Sequence, residues 1–311
     1  MRERWVSIMK VLITGMTGLI GRHLLGLCRE MGVEVHYLTR HPNKIKREPT
    51  LKGFFWDPES GEVEKKCLEG VTKIVHLAGA SVAQRWTKRQ KELILTSREK
   101  TGRLLYDLLS NHANDVNQVL SASAIGIYPS SLSRLYTEDT PARADDFLGH
   151  VVQRWEAAAD RFTALGILVT KVRIGLVLAP DGGFLEQVKK PIKNYMGACL
   201  GSGRQWQSWI HIEDLVSLFM YLLQNDIDGV FNGVAPSPVK QRYLLKKIAR
   251  ILKRPLLLPP IPEFVLEFLV GEMSAMILSS QLVASPKIEQ TNFKFRFTQV
   301  DKALKDLLIQ A

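Results

Sequence analysis

Thr14-Gly15-Met16-Thr17-Gly18-Leu19-Ile20-Gly21 is the stretch on which the fold turns. It is entered from Lys10 to Thr14 (K-V-L-I-T), a short continuous apolar run that reads as a strand buried on both faces. Beyond it, Gly18 to Met31 carries helix-spaced apolar residues: Leu19, Ile20, Leu24, Leu25, Leu27 and Met31. The glycines therefore join a strand to a helix, the context in which such a pattern carries meaning. Gly15 permits a tight turn, Gly18 lets the backbone approach a pyrophosphate, and Gly21 allows close helix–strand packing. The helix N-terminus then offers free N–H groups and a positive dipole end to phosphates. Gly15, Thr17, Gly18, Leu19, Ile20 and Gly21 are accordingly assigned to a dinucleotide.

Working outward, Val33 to Thr39 reads as a second strand and Lys73 to Ala78 as another, followed by a helix from Thr87 to about Asn111. Val116 to Ser121 reads as a strand, Val151 to Leu165 as a helix, and Ile167 to Leu178 contains the next strand. Such alternation predicts a doubly wound α/β fold of the Rossmann type, a parallel sheet with helices on both faces. After Pro180 the rhythm changes. Gly182-Gly183 opens a stretch richer in glycine and proline, then Trp209 to His211 and Val230 to Asn232 read as short strands around a helix from Glu213 to Asn225. Further helices follow, ending in an amphipathic one from Val300 to Ile309. The expected division is a nucleotide-binding domain over residues 9–180 and a smaller, partly interleaved substrate lobe over residues 181–311. Met9 stands immediately before the first strand, so residues 1–8 read as an extension, or Met9 as the true start.

Cofactor type is read at the end of the second strand, where an NAD site places an Asp or Glu for the ribose hydroxyls. Here the strand ends Leu38-Thr39-Arg40-His41, with Lys44, Lys46 and Arg47 close behind. An arginine there can clamp a 2′-phosphate through its planar fork. Thr39 and Arg40 therefore point to NADP(H).

Composition narrows the remaining classes. The 311 residues are 46% hydrophobic and carry 42 Lys+Arg against 31 Asp+Glu, a formal net charge of +11. The basic residues lie in short scattered runs with no accompanying nucleic-acid module, so a solvated basic surface is expected and no nucleic-acid partner. Cys28, Cys67 and Cys199 have neither metal nor redox spacing and suit a reducing cytoplasm. Pro255 to Val283 is greasy but broken by Pro259, Pro260, Pro262, Glu263, Glu267 and Glu272, short of the ~20 apolar residues a membrane span needs.

Several segments together resemble one family. Thr14 to Gly21 is similar to the T-G-x-x-G-x-x-G fingerprint of extended short-chain dehydrogenases/reductases, and His76-Leu77-Ala78-Gly79 to their H-x-A-G turn. Arg173 to Pro180 resembles their R-x-x-x-V-x-x-P segment, and Trp209 to Leu215 their hydrophobic-H-V-x-D segment. More narrowly, Arg85-Trp86, Ser97-Arg98, Arg154-Trp155-Glu156, Gly201 to Gln205 and Asn232 to Pro236 resemble the epimerase-family subgroup. The resemblance implies that Leu77, Ala78 and Gly79 line the cofactor and that Arg98 reaches its phosphates. It also implies that Gly201 to Gln205 and Trp209 lie near a substrate cleft.

Enzymes of this kind use Ser, Tyr and Lys, the lysine lowering the tyrosine pKa for proton transfer. Ser123, in Ser121-Ala122-Ser123-Ala124, matches the serine. The stretch Phe147 to Glu156 (F-L-G-H-V-V-Q-R-W-E), where the other two are expected, contains neither. Tyr128 and His150 are the candidate replacements, Tyr128 by entering the cleft from just beyond Ser123. Two functions remain open: an oxidoreductase or epimerase acting on a small hydroxyl- or carbonyl-bearing molecule, and a catalytically silent NADP(H) sensor. Substrate and oligomeric state, a homodimer included, are left open.

Overall fold

A computed structural model describes residues 9–309; the expectation about residues 1–8 lies outside the described residues. Nine strands form the main sheet. Its parallel body consists of β1 (Lys10–Thr14), β2 (Glu34–Thr39), β3 (Leu51–Asp57), β4 (Lys73–His76), β5 (Gln118–Ala124), β6 (Leu168–Ile174) and β9 (Gly229–Gly233). Their order across the sheet is β9-β6-β5-β4-β1-β2-β3, every pair parallel. Two short strands, Arg47–Glu48 and Glu62–Val63, pair antiparallel with β3. Between β6 and β9 the chain forms β7 (Leu176–Ala179) and β8 (Trp209–His211), a separate parallel pair. The chain runs outward from β1 through β2 to β3, then returns to lay β4 on the other side of β1. That reversal opens a crevice at the carboxyl ends of β1 and β4, where ligands of open α/β sheets bind.

The covering helices are α1 (Leu19–Glu30), α2 (Lys88–Asn111), α3 (Phe147–Asp160), α4 (Gly183–Lys193), α5 (Ile212–Gln224), α6 (Gln241–Ile251), α7 (Glu263–Val270), α8 (Ser274–Leu278) and α9 (Val300–Ile309). One apolar cluster packs α1, α5 and α6 against one sheet face, with Leu24, Phe219 and Leu244 fully buried in it. A second packs α2 against the other face through residues such as Leu105 and Leu108. The sequence reading did not anticipate β3 or α4. In β3, Lys52 and Gly53 precede the aromatic run Phe54-Phe55-Trp56, and Gly53 is small because a Cβ there would lie 2.5 Å from the Tyr37 ring. After Pro180, Gly182 caps α4 and Gly183 opens it, and Pro191 is accommodated near its end. No helix among the described residues is long and apolar enough to cross a membrane.

Candidate functional site

Thr14, the last residue of β1, holds the two loops of the crevice together. Its Oγ1 accepts from the backbone N–H groups of Leu77 and Ala78, both at 3.1 Å, and lies 2.8 Å from His76 Nδ1. With two N–H groups already donating to it, the threonine's own proton goes to Nδ1, so His76 is a neutral imidazole protonated on Nε2. Burial, reinforced by the charge of Arg98, pushes the His76 pKa down to about 4, in keeping with that neutral state. The clamp presses Gly15 against the second loop: a Cβ on Gly15 would sit 2.9 Å from the Leu77 carbonyl carbon, and its φ of +72° already favours glycine. Gly21 is equally crowded, 2.5 Å from the Gly15 carbonyl oxygen.

A groove of about 330 Å³ follows, lined by Gly15, Thr17, Gly18, Thr39, Arg40, Leu77, Ala78 and Gly79 together with Trp56 and Glu59. Leu19 and Ile20 do not line it. Their side chains join the apolar core, Leu19 against Gly182 and Gly183, so only their backbone N–H groups, in the first turn of α1, face the groove end. Gly18 caps α1 with no side-chain hydrogen bond, which leaves those groups without a protein partner. Arg40 lines the groove and makes no hydrogen bond or ion pair among the described residues. Glu59 is paired with Lys100.

At the far end of the groove lies Arg98, on α2. Its side chain packs beneath Gly79, where a Cβ would meet it at 3.1 Å, and its guanidinium stacks 4.6 Å from the Trp155 ring centroid. Nη1 donates to the carbonyls of Ala80 and Ile94, while Nε is buried without a partner. Among the described residues no carboxylate pairs with it, and burial pushes its pKa down to about 10. A buried cation with an unspent donor is a site for an anion or a carbonyl. The glycine cradle, the uncapped α1, Arg40 and this orphaned donor together fit a dinucleotide.

Arg98 also opens on an inner chamber of about 360 Å³ with Ser123, Leu148, Val152, Trp155 and Trp206 in its walls. Ser123 is 2% exposed, and its Oγ donates to Glu156 Oε1 at 2.7 Å. Glu156 is gripped by Arg173, Nε to Oε1 at 2.8 Å and Nη2 to Oε2 at 2.9 Å. Burial works to raise the Glu156 pKa, but this fork and Ser123 together hold it below the usual carboxylate range. The sequence reading missed Glu156 as part of the site. The Arg-Trp-Glu motif was its only trace.

Three expectations are corrected. Tyr128 does not enter the cleft: it is fully buried, stacked on Tyr136, with its hydroxyl accepting from Arg173 Nη1 at 2.9 Å. That hydroxyl lies 3.0 Å from both Asn232 Oδ1 and the Thr137 carbonyl, so it spans the Glu156–Arg173 pair and β9. His150 lies outside the cleft, half exposed and 2.9 Å from Asp145 Oδ1. Trp209 belongs to the core, its Nε1 donating to the Ser237 carbonyl, and the neighbouring Trp206 is the tryptophan at the chamber. The inner chamber runs into an outer one of about 520 Å³, sharing Gly126, Leu148, Met276, Ser279 and Gln281.

The family model for the NAD dependent epimerase/dehydratase family matches residues 11–232, and one for a domain of unknown function, DUF1731, matches residues 261–307. An epimerase family protein of Staphylococcus haemolyticus is 36% identical over 298 residues, covering 96% of this chain and 98% of its own length. The crystal structure of the human epimerase family protein SDR39U1 with NADPH is 30% identical, with a TM-score of 0.85 over 97% of this chain and all of that one. A nucleoside-diphosphate sugar epimerase from Corynebacterium glutamicum is 29% identical with a TM-score of 0.77, over 96% of this chain and 58% of that one.

Proposed function

The chain belongs to the NAD-dependent epimerase/dehydratase family, and from that premise we propose that it binds NADP(H) along the groove and acts as an oxidoreductase or epimerase on a small hydroxyl- or carbonyl-bearing molecule. The observation that carries the cofactor choice is Arg40, a groove-lining cation with no partner among the described residues at the end of β2. Of the acids near it, Glu59 is engaged by Lys100, and Asp57, whose pKa the charge of Arg40 helps to lower, accepts from the Glu59 N–H and from Ser60 Oγ. That the human relative is described with NADPH supports the same choice.

When bound, the nicotinamide supplies or accepts hydride. The residues of this chain bind and orient. Gly15, Thr17 and Gly18 with the first turn of α1 receive the pyrophosphate, Arg40 the 2′-phosphate, and Arg98 the anionic or carbonyl groups nearer the inner chamber. Ser123 has one proton, and it is committed to Glu156, an ionised carboxylate that can only accept. Towards the chamber Ser123 therefore presents lone pairs, which suit a substrate O–H better than a carbonyl. The α3 residues on the chamber, Leu148, Val151, Val152 and Trp155, bring no titratable group. That last observation keeps a second reading alive, a protein that binds NADP(H) and reports its presence without turnover.

Trp56 in the groove makes tryptophan quenching a direct readout of binding. We expect Arg40→Ala to weaken NADPH by ten- to a hundredfold, the loss of a charge-assisted fork worth about 1.5–3 kcal/mol, and NADH hardly at all. Equal weakening of both would remove the 2′-phosphate from the reading, and failure of either nucleotide to bind would remove the cofactor. Consumption of NADPH with a carbonyl panel then separates enzyme from sensor.

A further inference from the structure

The inner and outer chambers form one cavity, and its chemistry narrows what it can hold. Among the described residues that line it, Arg98 is the only cation, and it sits at the cofactor end. Among the described residues, the outer chamber has Asp146, Glu267 and Glu272 in its walls and no lysine or arginine. Of the neighbouring cations, Lys91 and Lys240 are engaged, while Arg85 stands beside the wall at Gly271 with no ion pair among the described residues. Lys91 pairs with Glu272 at 2.6 Å, Lys240 lies 3.6 Å above the Trp206 ring, and Arg85 Nε stands 3.7 Å from where a Gly271 Cβ would be. A diphosphate taken out of water needs cations and N–H donors around it, and here it would meet the carboxylates of Asp146 and Glu267 beside the Lys91-paired Glu272. Much of the remaining wall is apolar, Trp86, Phe147, Leu148, Met276, Val152 and Trp206 among it, and two of its polar side chains are engaged within the protein: Ser208 Oγ donates to the Gln281 carbonyl, and Gln281 Nε2 to Ser279 Oγ and the Tyr128 carbonyl. The helix that walls the outer chamber, α7, also turns Phe264 and Phe268 to solvent, 71% and 83% exposed.

We propose that this cavity takes an uncharged, predominantly apolar alcohol, its hydroxyl donating to Ser123 Oγ and its hydrocarbon body extending into the outer chamber, and not a nucleoside-diphosphate sugar. The proposal rests on the cofactor reading above, because the hydroxyl must lie beside a nicotinamide to matter. It predicts a substrate chosen by buried apolar surface, with a single hydrogen bond fixing the reacting end.

The test uses the full chain saturated with NADP⁺, the loading confirmed by tryptophan quenching before any alcohol is added. Hexanol, octanol, decanol, benzyl alcohol and UDP-glucose are titrated by calorimetry. We expect affinity to rise about fourfold per added methylene along the linear alcohols, and UDP-glucose to bind at least tenfold more weakly than decanol. Met276→Glu, which places a charge on the half-buried wall shared by both chambers, should flatten the length dependence while leaving NADP⁺ affinity unchanged. Tight UDP-glucose binding, affinity independent of chain length, or no binding of any alcohol to the loaded protein would each overturn the proposal. Failure to load NADP⁺ would instead overturn the cofactor reading beneath it.

Discussion

Glu156 shows how far a single residue of the site depends on partners distant in sequence. It receives Ser123 from β5 and a two-point grip from Arg173 on β6, and Arg173 in turn reaches Tyr128. Removing the carboxylate charge strands a buried guanidinium, so Glu156→Gln should destabilise the fold by about 3–5 kcal/mol. Tyr128→Phe deletes one neutral hydroxyl from the same network and should cost about 1 kcal/mol. Urea denaturation of the two variants gives the comparison, and equal losses would mean that the pair is not the network's centre. None of this was visible in the sequence as a contact. The partners of Glu156 are 17 and 33 residues away, and only the finished sheet brings β5, β6 and α3 together. By contrast the groove was legible, because Gly15 and Gly18 act through local backbone geometry that the sequence displays in one run.

At the scale of elements, what was legible is what repeats locally. The strand–glycine–helix unit of β1 and α1 announced itself, and so did Thr87 as the start of α2, where its side chain accepts from Gln90 N–H. β3 and α4 were hidden because their sequences serve distant neighbours, Gly53 the Tyr37 ring and Gly182 and Gly183 the Leu19 side chain. Gly149 makes the same point in a form open to experiment. It lies in the first turn of α3, where helix propensity alone would favour alanine by up to about 1 kcal/mol. Yet a Cβ there would stand 2.2 Å from the Ala144 carbonyl oxygen, a backbone atom that cannot rotate aside. Overpacking costs of roughly 1–3 kcal/mol win over propensity. Gly149→Ala should therefore lower the urea midpoint, with a net loss on the order of 1–2 kcal/mol, and shift the chamber wall formed by Leu148 and Val152. A raised midpoint would show that the segment before α3 yields without resistance.

Across the whole molecule, the chain beyond residue 180 is tied to what precedes it, since β9 completes the sheet beside β6. Buried histidines sit in both regions. His76 is locked beneath the crevice. His211 caps α5, accepting from Glu213 N–H at 3.1 Å, and stacks 3.9 Å from Phe297. Burial pushes both pKa values down to about 4, in His211 against the pull of Asp306, and it lowers that of His36 as well. Below an ordinary histidine pKa of 6.5 the unfolded chain binds protons that the folded chain refuses until about pH 4. The unfolded state thus holds more protons throughout that window, and stability falls as the pH is lowered through it. Each histidine contributes a slope of at most about 1.4 kcal/mol per pH unit, and His76 and His211 each up to roughly 3 kcal/mol in all. Glu138 and Asp214, whose pKa values burial raises, oppose this. Their gain comes as they protonate, toward the acid end of the window. Urea unfolding at a series of pH values from 7 to 4.5 should therefore show a loss that sets in near pH 6.5 and steepens below it as the histidine proton difference grows. His211→Asn keeps a side chain able to cap α5 but removes the titration. It should lower stability at pH 7 slightly and remove one histidine's share of the slope, whereas an unchanged slope would mean that His211 is already charged in the folded chain.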